Sequence, residues 1–143
     1  MHRPISFISR LVLSTALIVG ASAALAQSAG QRPGAPIKFQ ATDAIKDSQV
    51  LKAWPELEDI KRNAPDLFAN MTHYSAQVQT AYGAATLSMV VGGGQCGREL
   101  CEMRVFLPGK EPKLIDSCSD PTAQYVSQDG QGLIACGKYV PFE

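Results

Sequence analysis

The sequence predicts an α+β domain: N-terminal helices packed on an antiparallel sheet of about five or six short strands, stapled by disulfides. Three observations carry this. Apolar residues at helical spacing, interrupted by prolines, fill positions 42–71. From Tyr74 onward the period changes to two, with turn residues between the runs. All four cysteines, Cys96, Cys101, Cys118 and Cys136, lie in that second half.

Residues 1–26 read as a secretory signal peptide. Arg3 and Arg10 carry charge without any acid, Leu11–Gly20 is largely apolar, and Ala24-Leu25-Ala26 is a small-x-small cleavage site. The apolar run is short of the roughly 20 residues of an uncleaved membrane anchor, which is the alternative. No cysteine follows the cleavage site for lipid attachment, and no Arg-Arg pair marks the twin-arginine route. The expected location is periplasmic or secreted. Residues 27–41 are expected to form a flexible lead-in, because Ser28, Gly30, Pro33, Gly34 and Pro36 leave it little apolar content. A single domain is expected over 42–143.

Thr42 or Asp43 is the expected N-cap of the first helix, with Ile45, Val50, Leu51 and Trp54 as its apolar stripe. Pro55 breaks that helix and opens the next at its first position. Glu56, Glu58 and Asp59 then sit where the helix dipole favours negative charge, and Leu57, Ile60 and Ala64 face inward. Pro65-Asp66 opens a third short turn through Leu67, Phe68 and Met71. Trp54 reads as a packing residue.

Strands are expected over Tyr74–Tyr82 and Ala85–Val91, joined by a Gly83-Ala84 turn. Glu102–Leu107 alternates, with Met103, Val105 and Leu107 on one face and Glu102, Arg104 and Phe106 on the other. A five-residue turn at Pro108–Pro112 before the strand Lys113–Cys118 would put Arg104 opposite Asp116. Asp120-Pro121 marks a further turn, and Asp129-Gly130 between Ala123–Gln128 and Gln131–Cys136 is the strongest hairpin signal.

Four cysteines in a small exported domain read as two disulfides, Cys96–Cys101 and Cys118–Cys136. The second raises a difficulty. In a plain meander one strand separates its cysteines by roughly 9–10 Å, and a disulfide needs Cα atoms within about 7 Å. Either Cys118 leaves the sheet at 119–122, or the strand order is no simple meander, or the pairing differs.

Taking Arg3 and Arg10 from the 13 basic residues leaves 11 against 13 acidic, a net charge of −2. That balance points away from nucleic acid and anionic membranes. His73 is the only histidine after the signal peptide, so neither a His-rich metal site nor a Ser/His/Asp set is expected. It reads as a surface or helix-end histidine. Gly92-Gly93-Gly94 lacks the lysine and helix of a phosphate loop and reads as a bulge or a flexible lead into the cysteine ring. The carboxylates Glu99 and Glu102 are a weak candidate pair for hydrolysis. No cofactor, metal or catalytic residue is therefore expected.

The sharpest feature is Cys96–Cys101, written CGRELC. Disulfide closure would present Gly97, Arg98, Glu99 and Leu100 as a small preorganised ring, with Arg98 able to grip a carboxylate. The plain alternative is a structural or envelope-interaction module in which the ring only staples a hairpin end. With the preceding signal peptide, the helix carrying Lys52-Ala53-Trp54, the hairpin Val78–Val91 and the following strand EMRVFL, this Cys-x4-Cys loop resembles the inhibitor of vertebrate lysozyme family. The resemblance implies a periplasmic protein that blocks c-type lysozymes by inserting the loop into the cleft. The family loop usually carries a histidine as Cys-x-x-His-x-Cys; here Glu99 holds that position, beside Arg98.

Overall fold

The period-two half of the chain closes into two antiparallel sheets, not one. The computed structural model describes residues 31–42, 48–94, 96–97 and 100–143. Its elements are β1 (Pro33–Pro36), β2 (Gln40–Thr42), α1 (Ser48–Ala53), α2 (Glu56–Asn63), α3 (Pro65–Ala69), β3 (Thr72–Thr80), β4 (Gly83–Val91), β5 (Leu100–Phe106), β6 (Lys113–Cys118), β7 (Gln124–Ser127), β8 (Gly132–Ala135) and β9 (Lys138–Pro141). One sheet runs β2-β3-β4-β5-β6 and the other β1-β7-β8-β9. The described chain is therefore mostly β, with three short helices and two disulfides.

The core lies between the sheets. Ala85, Leu87 and Met89 of β4 alternate into it with Met103 and Val105 of β5 and Ile115 of β6. Val126, Leu133, Ala135 and Phe142 meet them from the other sheet. Gln124, fully buried, is satisfied there: its Oε1 accepts from Ser117 Oγ at 2.7 Å and its Nε2 donates to Cys118 O at 2.9 Å. On the opposite side of β4, Val90 joins Val50, Trp54, Leu57 and Met71 in a second, smaller cluster.

Several expectations are corrected. The stretch read as a flexible lead-in is structured from Pro33: β1 pairs with β7, β2 pairs with β3, and Ile37 between them is buried in the inter-sheet core. Prolines masked it, yet β1 is an edge strand, where a missing N–H is tolerated. Thr42 belongs to β2 and not to a helix cap. Asp43 and Ile45 lie outside the described residues, as does the signal peptide. The break at Pro55 and the third helix at Pro65 are present.

The β3–β4 connection is Ala81-Tyr82, with Thr80 opposite Gly83, rather than Gly83-Ala84. Thr80 Oγ1 fixes it by accepting the Tyr82 N–H and donating to Gly83 O. The Asp129-Gly130 hairpin forms as expected between β7 and β8. A second hairpin, β8–β9, went unread: Cys136 (φ 47°) and Gly137 (φ 75°) make the two-residue, positive-φ turn that matches strand twist.

The β5–β6 register is also shifted. Val105 pairs with Lys113, so Glu102, not Arg104, lies opposite Asp116. Finally, Cys118 ends β6 in one sheet while Cys136 sits in the turn after β8 in the other, with Cα atoms 5.4 Å apart. The difficulty raised by a plain meander disappears because the strand order is not a meander.

Candidate functional site

The ring sits on the connection from β4 to β5. Cys96 and Cys101 face each other as an isolated bridge with Cα atoms 4.3 Å apart and form the expected disulfide. Inside the ring the Gly97 N–H donates to Leu100 O at 2.8 Å. Gly97 is exposed and Leu100 is 44% exposed. Arg98 and Glu99, the other two candidate ring residues, lie outside the described residues. Cys101 is only 2% exposed and belongs to the inter-sheet core, so one foot of the ring is fixed in the body of the protein.

The glycines before the ring have a packing role. Gly92, Gly93 and Gly94 all have positive φ. A Cβ on Gly92 would lie 2.5 Å from Asn70 O, and one on Gly93 would collide with Met71 and approach Leu67 O at 3.0 Å. The chain therefore leaves β4 by passing tightly under the end of α3, which only glycine permits. This is neither a phosphate loop nor a plain flexible lead.

Beside the ring, the outer face of β5 divides into two halves. Arg104 is committed to the helices: its guanidinium lies 4.5 Å from the Trp54 ring centroid, donates to Glu56 Oε1 at 2.7 Å, and donates to Ala53 O at the end of α1. Glu102 and Asp116, directly opposite each other, are exposed. Among the described residues neither takes part in an ion pair.

His73 is not a surface or helix-end residue. It lies in β3, buried, with Nε2 2.9 Å from Ser88 Oγ. Trp54 Nε1 donates to the same Ser88 Oγ at 2.8 Å. An indole N–H only donates, so Ser88 Oγ accepts from Trp54, while the direction of the His73 contact is set by the imidazole tautomer. The shared hydroxyl ties Trp54, just after α1, and His73 of β3 to β4. A cleft of about 340 Å³ opens beside it, lined by Val50, Ala53, His73, Ser75, Thr86, Ser88 and Phe106. Sequence reasoning missed Ser88 altogether; its only signal was a polar residue, like Thr86 before it, at an outward position of a largely apolar strand.

A larger groove of about 730 Å³ runs between β1, the end of β3 and the β7–β8 turn. Three ionisable groups have shifted pKa values, Asp120 and Asp129 in turns and Tyr139 in β9. Hydrogen bonds from the Thr122 hydroxyl and N–H lower the Asp120 pKa, and those from Ser127 Oγ and the Gln131 N–H lower that of Asp129. Burial, then the charge of Asp129, raises that of Tyr139. Among the described residues no three of His, Cys, Asp and Glu stand close enough to hold a metal ion. Compared with known family models, curated proteins and solved structures, the chain matches none.

Proposed function

We propose that the chain is an exported, non-catalytic binding protein that docks a protein partner through the Cys96–Cys101 ring, as the lysozyme inhibitors it resembles do. The observation that carries this reading is a disulfide-closed ring in which Gly97 and Leu100 are exposed while Cys101 is held in the core. Its disulfide and the Gly97–Leu100 hydrogen bond limit the conformational freedom lost on binding. Arg98 supplies the fork for a partner's carboxylate in place of the family's histidine, while Glu99 disfavours a doubly acidic cleft. The helices act in this reading as a cover on the outer face of β4, supported by the Trp54–Ser88 bond.

A second reading, in which the ring is only a staple of an envelope module, is favoured by the burial of Cys101. The two are separated by titrating the oxidised mature protein against c-type, g-type and i-type lysozymes, with Arg98→Ala alongside. Inhibition by the wild type that weakens in Arg98→Ala is expected. No inhibition of any class at micromolar protein overturns the inhibitor reading; inhibition that survives Arg98→Ala removes the role given to the ring tip.

A further inference from the structure

Leu100, Glu102, Arg104 and Phe106 share one face of β5, because successive strand residues point to opposite sides. Register adds Leu114 opposite Arg104 and Asp116 opposite Glu102. This face points away from the inter-sheet core, which takes Cys101, Met103, Val105 and Ile115 instead. The helices engage Arg104, but Leu100 at 44% and Leu114 at 49% stay open, two of the three exposed large hydrophobics among the described residues.

Two carboxylates directly opposite across antiparallel strands repel each other. Among the described residues, the cation next along β5 on this face, Arg104, is turned toward Glu56 and Trp54. A sheet face optimised for stability alone would carry opposite charges there.

We infer that this face is a docking surface for a protein presenting an arginine or lysine within an apolar surround. The cation bridges the Glu102 and Asp116 carboxylates, and its apolar neighbours cover Leu100 and Leu114. The inference extends the ring's docking surface through Leu100 and rests on the reading of the ring as a docking element. Charge decides the occupant. An acidic partner, a nucleic acid or an anionic membrane adds to the repulsion. A second copy packed face to face with the two-fold axis through Glu102 and Asp116 would oppose the same acidic patch to itself.

The test measures binding of the oxidised mature protein to two basic probes, a c-type lysozyme and ribonuclease A, each native and succinylated to invert its lysine charges. The variants are Glu102→Gln with Asp116→Asn and, as an equal change in net charge on exposed α2 positions, Glu58→Gln with Asp59→Asn. Expected is binding of at least one native probe, loss on succinylation, and weakening of at least about tenfold in the first double variant only. Its melting temperature should not fall, since a repulsion has been removed. No binding of either native probe at about 100 µM, equal weakening by both double variants, or wild-type affinity in Glu102→Gln with Asp116→Asn overturns the inference. Inhibition that needs Arg98 but not Glu102 and Asp116 leaves the ring reading standing alone; binding that needs the acidic pair without lysozyme inhibition leaves this surface standing alone.

Discussion

Replacing Cys118 and Cys136 together by alanine, and in a second protein Cys96 and Cys101, asks which bridge holds the fold and which serves the ring. Cysteines 118 and 136 are 18 positions apart and cysteines 96 and 101 only five. The entropy removed from the unfolded chain by loops of these lengths corresponds to about 3 kcal/mol for the first and about 2 kcal/mol for the second. Lost sulfur burial narrows the difference, because Cys101 and Cys118 are equally buried while Cys96 is half-buried and Cys136 is exposed. The longer bridge also joins the two sheets covalently, beside side-chain packing and the hydrogen bonds Ser117–Gln124, Gln124–Cys118 and Ala81–Gly130. Equilibrium urea unfolding of the three oxidised proteins should therefore rank wild type above the ring variant, and the ring variant above the inter-sheet variant. A ring variant destabilised as much as the inter-sheet variant, or more, would refute this and mark the ring as a staple of the core. If the ring is a docking element, its variant loses partner binding out of proportion to its modest loss of stability.

Trp54→Phe removes the N–H bonded to Ser88 and should cost about 1 kcal/mol; a cycle with Ser88→Ala in urea melts should show the two changes to be coupled. Gly130→Ala should cost more than about 1 kcal/mol, because φ is +68° and the new Cβ would lie 2.7 Å from Ala81 N; calorimetry measures it. Asp129 has its pKa lowered by Ser127 and Gln131, so its contribution is complete above the ordinary carboxylate pKa of about 3.9 and is lost as pH falls through the lowered folded value. The difference in melting temperature between wild type and Asp129→Asn should accordingly be constant near neutral pH and shrink in acid. A gap that persists at acid pH would show the Asp129 carboxylate to be irrelevant.

Local features were legible in the residues and long-range placement was not. Pro55 and Pro65 mark helix boundaries because a missing N–H acts locally. Asp129-Gly130 marks a hairpin because positive φ is a local demand. Alternation gave the core-facing residues Met103 and Val105 correctly, since period two reports a face. It does not report which sheet a strand joins, so β7 and β8 were drawn into the same sheet as β6. The Cys118–Cys136 distance held the contrary signal. His73 was misjudged for the same reason: a lone histidine carries no mark of burial, and its partner Ser88 becomes visible only when β3 and β4 are in register. In the candidate site the ring closure and the exposure of Leu100 followed from spacing, while the glycine run needed the position of α3.

The β5–β6 register decides which charges meet on the outer face. With a five-residue turn, Arg104 would face Asp116, and Glu102 would have no carboxylate opposite it. Pairing of Val105 with Lys113 lengthens the connection to seven residues, 106–112, and moves every partner along β5 by two. Arg104 then sits opposite Leu114 instead of Asp116, and its guanidinium reaches back to Trp54, Ala53 and Glu56. That contact helps hold the helices, and it leaves Glu102 and Asp116 facing each other beside the ring. The same register thus turns Arg104 toward Trp54 and Glu56 and sets two carboxylates opposite each other. Cross-strand charge pairs are worth only about 0.2–1 kcal/mol, so the fold can tolerate the repulsion, and Asp116→Lys should recover a stabilisation of that size, read in urea melts; if the face docks a basic partner, the same change weakens that binding.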